Sequence, residues 1–399
     1  MSRTRTEGPA PVPATDLIDP ERDAPVELVT PRRSRWPTIG SVPLVRAIVV
    51  TALALVIGFV ITALALLVDG RSPVDAFSAL RQGAFGTPLA WGTMLNRTAV
   101  LLLGALGFTV AYRAGLLNVG AEGYIYVGGA AAAATALAVG TRVPTGVSIP
   151  LALAAAAAGG AALSAIAGFL RLWRRVPEVL STLLLNFLAI QFVSYLVRTP
   201  RWLQETRVAS AGGGYQSAAR NLPQSGLVPE RSRLVHLMAD NPVHLGIVIA
   251  IVVAIVLAVT FRYSVFGFRL RMLGAGPVAS LRAGLPVRRL SIAAMALSGA
   301  IGGLAGASLV LGDRFRILDG ISPGYGYIAI LVALLARSSP IAAIFAAALF
   351  AGLQLGGQTM EAAGAAPQAL VLVMEAVIVL AIATAAEFER RWSRRAVER

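Results

Sequence analysis

The 399-residue sequence contains no cysteine and no lysine, so all 35 of its basic side chains are arginine. Without a thiol there is no disulfide, no thiolate ligand and no cysteine nucleophile. Without an ε-amine there is no Schiff-base catalysis and no Walker A loop, whose lysine must reach the β- and γ-phosphates. If ATP drives this protein, another chain hydrolyses it. Histidine is scarce as well. His236 and His244 stand at the end of a polar loop with no cluster of acidic ligands nearby, which argues against a structural zinc site. Charge is thin, at 14% of residues, where a soluble domain carries about a quarter.

What is present in excess is apolar: 56% of the chain is hydrophobic and the mean hydropathy is strongly positive. The apolar residues come in uncharged blocks such as Ala47 to Val68 and Ser291 to Gly312. Roughly 20 helical residues at about 1.5 Å each cover a hydrocarbon core of ~30 Å. The blocks do not alternate apolar with polar residues, so they fit helices rather than a membrane barrel. The net charge of +15 does not point to nucleic acid, because the arginines cluster beside the apolar runs, where they orient helices in a bilayer.

The fold class expected is therefore an all-α integral membrane protein. Residues 1–42, rich in Pro, Asp, Glu and Arg, read as a disordered cytoplasmic tail without the apolar core of a secretory signal. About ten spans follow, near 45–68, 95–112, 115–139, 147–170, 179–197, 243–261, 291–312, 322–336, 340–357 and 367–386, within a transmembrane domain of 43–387. Residues 198–242 form an extracytoplasmic loop, 262–290 a cytoplasmic one, and 388–399 a basic cytoplasmic tail. Alternating the sides puts 23 arginines inside and 12 outside, six of the latter in the single long outer loop, which favours both termini in the cytoplasm.

Two spans read as broken. The third opens Gly115-Leu-Leu-Asn-Val-Gly-Ala-Glu-Gly123, and the eighth opens Gly320-Ile-Ser-Pro-Gly-Tyr-Gly326 and stops by Pro340. Each is the third span of a five-span half. Halves of odd span number run in opposite senses, the arrangement of an inverted repeat, in which interrupted segments at matching positions mark a central pathway. Candidate pathway residues are the intramembrane acids Glu122 and Glu375, the amides Asn118, Asn186 and Gln354, and the aromatic residues Tyr124 and Tyr325. Such groups suit an uncharged, hydroxyl-rich solute, though an intramembrane carboxyl can equally tie helices together. Glu178 follows Pro177 at a helix start and reads as a cap. Glycines 299, 302, 303 and 306 give overlapping G-x-x-x-G spacings, a close-packing face. In the loop 262–290, Pro277 and Gly284 bound a short amphipathic helix, and Gly267, Arg269, Arg271 and Arg282 complete a segment able to transmit force from a cytosolic partner.

Taken together the motifs resemble those of ABC-type permeases for nucleosides and simple sugars, within the wider group of ribose and branched-chain amino-acid permeases. The resemblance rests on five stretches in order. They are Gly115–Gly123, Pro177-Glu-Val-Leu-Ser-Thr-Leu-Leu-Leu-Asn186, Ser298–Gly306, Gly324–Leu335 and Gly356-Gly357. It implies a subunit without catalytic residues or cofactor. The implied partners are a second homologous permease or a second copy, a cytosolic ATPase with two nucleotide-binding domains docking on 262–290, and an extracytoplasmic substrate-binding lipoprotein. The setting implied is the cytoplasmic membrane. The chain departs from the family pattern at Tyr124, where glutamine is usual, at Gly274-Ala-Gly-Pro277, and at Glu375. A proton-coupled secondary transporter using Glu122 and Glu375 is the alternative reading. A membrane enzyme ranks behind both, for want of a convergent acid–base or metal set.

Overall fold

Long runs of leucine, alanine, valine and isoleucine become helices in this chain because a helix bonds its own backbone polar groups, leaving none for lipid to satisfy. The computed structural model describes residues 44–174, 176–199 and 223–381, together with 203, 207–209, 215–217 and 384. The tails 1–42 and 388–399 lie outside the described residues.

The helices are α1 (Leu44–Val68), α2 (Pro73–Phe85), α3 (Pro88–Arg113), α4 (Ala121–Val139), α5 (Thr145–Arg174) and α6 (Glu178–Arg198). After two short hairpins come α7 (Gly246–Tyr263), α8 (Val265–Ala275), α9 (Pro277–Arg282), α10 (Val287–Ser308), α11 (Tyr325–Leu335), α12 (Pro340–Ala362) and α13 (Ala369–Ala381). A six-residue π turn, Leu309–Arg314, prolongs α10. The hairpins pair β1 (Arg207–Ala209) with β2 (Tyr215–Ser217), and β3 (His236–Met238) with β4 (Asn241–His244), both antiparallel.

Among the described residues six helices are long and apolar enough to cross a membrane: α3, α5, α6, α7, α10 with its π turn, and α12. The protein is a multi-pass membrane protein. A helix also occupies each of the other four stretches read as spans, although α11 has only 11 residues. The polar loop expected after the first span instead contains α2. Its start is fixed by Ser72, whose hydroxyl accepts the Asp75 N–H at 3.3 Å, and by Pro73 at the first turn. Its buried residues Ala76, Leu80 and Ala84 account for the helix, since they give it an apolar face that packs on α12.

The centre of the bundle is α3 and α10. The most apolar stretch of α3 is 89% buried and that of α10 78%, against 28% for α5 and α6. The glycines of α10 make this possible. A methyl group on Gly303 would collide with the Ala156 carbonyl of α5, and one on Gly299 with the Gly160 carbonyl, so the α5 and α10 backbones touch.

The described part of the long loop before α7 is stitched to the chain that follows α10. Leu234 donates to Leu311 O at 2.9 Å, Val228 to Phe315 O at 2.8 Å, Ser225 to Ile317 O at 2.9 Å, and Asp319 to Pro223 O at 3.1 Å. Arg198 at the end of α6 pairs with Asp319. Residues 315–324, non-helical and bent at Phe315, Gly320 and Gly324, all of positive φ, connect this seam to the start of α11.

Candidate functional site

The chain is not helical between α3 and α4, over residues 114–120, and backbone at membrane depth must find partners. The end of α3 accepts from residues 114–116, and one stripe of α6 serves those that follow. Glu178, Thr182 and Asn186 recur every four residues and so share a helix face. Leu117 N–H donates to Glu178 Oε1 at 3.4 Å, Val119 N–H to Thr182 Oγ1 at 3.3 Å, and Gly123 N–H to Asn186 Oδ1 at 2.9 Å. Asn186 Nδ2 returns a bond to Val119 O at 2.8 Å. Glu178 thus serves a neighbouring segment rather than its own helix end, and pairs with Arg171 at 2.6 Å.

Asn118 lies at the centre of this unwound stretch. Its Oδ1 accepts the Gly120 N–H at 3.0 Å and the Tyr124 hydroxyl at 2.7 Å. Its Nδ2 donates to Ser298 Oγ at 2.9 Å and Ser164 Oγ at 3.3 Å. One amide therefore ties the start of α4 to α5 and α10, and its bonding capacity is filled.

The second break is built differently. Gly324, at φ 91°, is the residue before α11, and the turn ahead of it is closed by Ser322 Oγ accepting the Tyr325 N–H at 3.1 Å. The Glu122 carboxylate reaches across from α4 and accepts the Gly326 N–H at 2.6 Å. A carboxyl oxygen here satisfies a free donor at the N-terminus of α11. Tyr126, one turn along α4, donates its hydroxyl to Ser322 O at 3.2 Å. The two broken spans meet N-terminus to N-terminus, and the approach is close: a methyl group on Gly326 would overlap the Glu122 backbone.

Asn118, Glu122, Tyr124 and Asn186 are thus brought together, all at least 98% buried, and each is occupied by protein partners. Gln354 on α12 and Glu375 on α13 form a separate pair. Glu375 is 1% exposed and neither of its oxygens has a well-formed hydrogen bond, with Gln354 the polar side chain beside it. Tyr325 belongs to a third place, a cavity of about 170 Å³ whose wall also includes Arg97, His244, Ser308, Asp313 and Arg314.

Sequence reasoning missed Arg97, which was counted with the outer arginines. Its signal was present: it is the single charged residue in α3 before Arg113. Its guanidinium donates to Gln358 Oε1 at 3.0 Å and lies 5.8 Å from the Tyr325 ring centre. His244 Nδ1 accepts the Gly246 N–H at 3.0 Å. Burial, with His236 nearby, pushes the His244 pKa down to about 4, so the ring is neutral at physiological pH.

Between α7 and α10, the side chains of Arg269, Arg271 and Arg282 are exposed, as are Pro277 and Gly284. Pro277 opens α9, and Gly284, at φ 77°, follows its end. Gly267 is buried at the start of α8, where a methyl group would strike the Thr260 carbonyl. The other end of α8 touches the first break, since a methyl group on Gly274 would meet the Arg113 carbonyl.

Comparison with known proteins accords with this architecture. Residues 91–383 match the family described as branched-chain amino acid transport system / permease component. The chain is similar to a guanosine ABC transporter permease protein of Bacillus subtilis, 32% identical over 80% of this chain and 88% of that one. It is similar to a glucose ABC transporter permease protein of Haloferax volcanii, at 31% over 80% and 82%. A nucleoside ABC transporter permease protein of Lactococcus lactis is 29% identical over 84% and 90%. With close to three quarters of its length inside the family match, and its glycine seam and broken spans within that region, this chain belongs to the family of ABC transporter permease components.

Proposed function

We propose that this chain is the membrane-spanning subunit of an ATP-driven importer that carries a nucleoside or simple sugar across the cytoplasmic membrane. The observation that carries the reading is the junction of α4 and α11, where two interrupted helices meet at Glu122 and Gly326. Helix N-termini converging on one point inside a bundle are the hallmark of a transport pathway between repeats. The guanosine, nucleoside and glucose permeases to which the chain is similar favour an uncharged, hydroxyl-rich solute.

In this reading ten helices span the bilayer, both termini are cytoplasmic, and the halves α1–α6 and α7–α13 run in opposite senses. The equivalent burial of α3 and α10 supports that pairing. A cytosolic ATPase with two nucleotide-binding domains docks on α8 and α9 through Arg269, Arg271 and Arg282, while a binding lipoprotein delivers solute to the opposite face. A second permease copy or homologue completes the pathway. Asn118, Glu122, Tyr124 and Asn186 shape that pathway by holding its unwound backbone, and Tyr325, Gln354 and Glu375 flank it. The same engagement of Glu122 weakens the secondary-transport alternative, because a carboxylate that bonds a helix terminus is poorly placed to shuttle protons.

The test is reconstitution of the chain with its neighbouring ATPase and binding lipoprotein in proteoliposomes, followed by uptake of labelled nucleosides, pentoses and hexoses. Uptake that requires internal ATP and the ATPase is the expected result. Uptake undiminished without the ATPase, and abolished by a proton ionophore, would overturn the reading.

A further inference from the structure

Apart from Tyr325, the cavity bounded by α3, the π turn and α11 has a lining that the transport reading does not use. Arg97 stands nine residues into α3, about 14 Å from its start at ~1.5 Å per residue, so its charge lies well inside the apolar helix. Among the described residues it forms no ion pair. Its acceptor, the Gln358 amide oxygen, solvates the guanidinium but cannot neutralise it, and one of its terminal nitrogens, Nη1, is buried without a hydrogen-bond partner. Arg97 is half-buried and reaches the solvent that enters the cavity, yet arginines within membrane helices are normally paired with a counter-charge.

The rest of the wall has the same bias toward donors. The Ser308 hydroxyl is buried, 2% exposed as a residue, and has no partner. His244 uses Nδ1 as an acceptor, which leaves its proton on Nε2, a donor. The one carboxylate of the lining, Asp313, lies 3.2 Å from Arg314 and is already balanced. Two guanidinium groups thus face one carboxylate, and the exposed Asp313 and Arg314 form the rim through which solvent species enter. A volume of about 170 Å³ exceeds what one water molecule needs by far.

We propose that this cavity is a binding site for a small inorganic anion taken from solution, of the size range from chloride to phosphate, held by Arg97 with Ser308 and His244 as donors. The bound anion supplies the missing counter-charge of Arg97 and fixes the packing of α3 against the π turn and α11. Nothing in this proposal depends on which solute the protein transports.

Equilibrium binding of radiolabelled chloride and of radiolabelled phosphate to the full-length protein, purified in a neutral detergent with gluconate as the background anion, tests it. Saturable binding at one anion per chain is expected, weakened at least about tenfold in R97Q because a charge-assisted bond is lost. S308A removes a donor and keeps the charge, so it must also weaken binding. It carries the test together with R97K if R97Q does not fold. No saturable binding to the wild-type protein, or wild-type affinity in these variants, overturns the site. A parallel titration with short-chain phosphatidylglycerol separates the sources. Protection by that lipid alone, with neither inorganic anion bound, would also overturn the assignment.

Discussion

Replacing Asn186 by leucine tests the clamp on the unwound segment, because leucine keeps asparagine's branched heavy-atom skeleton and replaces its polar atoms by methyl groups. The wild-type side chain makes two bonds, 2.9 Å from Gly123 N and 2.8 Å to Val119 O, and is fully buried. Leucine would orphan one backbone donor and one backbone acceptor, each costing about 1–3 kcal/mol, so the loss is about 2–6 kcal/mol. Interhelical bonds in membranes average only about 0.6 kcal/mol, because broken side-chain pairs find other partners. Here the orphaned groups belong to a non-helical backbone already wedged between α5, α6 and α10, where no alternative offers itself, so the larger range governs. Detergent-induced unfolding in mixed micelles measures the cost. T182V is the graded control. It orphans one backbone donor, Val119 N–H at 3.3 Å, and removes the hydroxyl's bond to Glu178 O at 2.7 Å within its own helix, so it should cost about 1–3 kcal/mol. If N186L unfolds within about 0.5 kcal/mol of wild type, as an exposed substitution would, the clamp does not hold the break and the reasoning fails.

Other outcomes can be set beside this one. E122Q keeps an oxygen to accept the Gly326 N–H, so it should retain most ATP-dependent uptake, whereas E122A should lose it along with about 1–2 kcal/mol of stability. Equal inactivity of both variants would show that the charge itself is needed. G303A drives a methyl group into the Ala156 carbonyl and should cost at least about 1–3 kcal/mol, read as loss of the monodisperse peak in size-exclusion chromatography. His244 is neutral when folded but takes a proton near its ordinary 6.5 when unfolded. Its contribution is therefore present above pH 6.5, falls as the pH drops, and is fully lost near pH 4. The change is of order 3 kcal/mol, and H244Q should flatten that part of the stability–pH curve.

The long spans were legible because an uninterrupted apolar run has few other ways to fold. The breaks were legible too, since Gly115, Asn118, Gly120, Glu122 and Gly123 crowd polar and helix-weakening residues into an apolar context. What the sequence did not disclose was pairing. Glu178, Thr182 and Asn186 recur at a helical period, but their partners lie about 60 residues upstream on a segment with no period at all. Glu122 read equally as a pathway group and as a tie between helices, and its backbone partner Gly326 is 204 positions away. Helix α2 escaped because its apolar face is only a few small residues wide. Arg97 escaped because a single arginine near a span boundary reads as an orientation signal until the boundary moves outward to Pro88.

The seam between residues 223–234 and 311–319 bears on how a signal at the long loop reaches the broken start of α11. Its four backbone bonds and the Arg198–Asp319 pair make the loop and the segment after α10 one mechanical body. A protein that grips this loop therefore holds, through the five residues 320–324, the first turn of α11 and the Glu122 carboxyl bonded to it. Amide hydrogens at Ser225, Val228, Leu234 and Asp319 should exchange as a single block, slowing together when that loop is occupied and quickening together when it is cut.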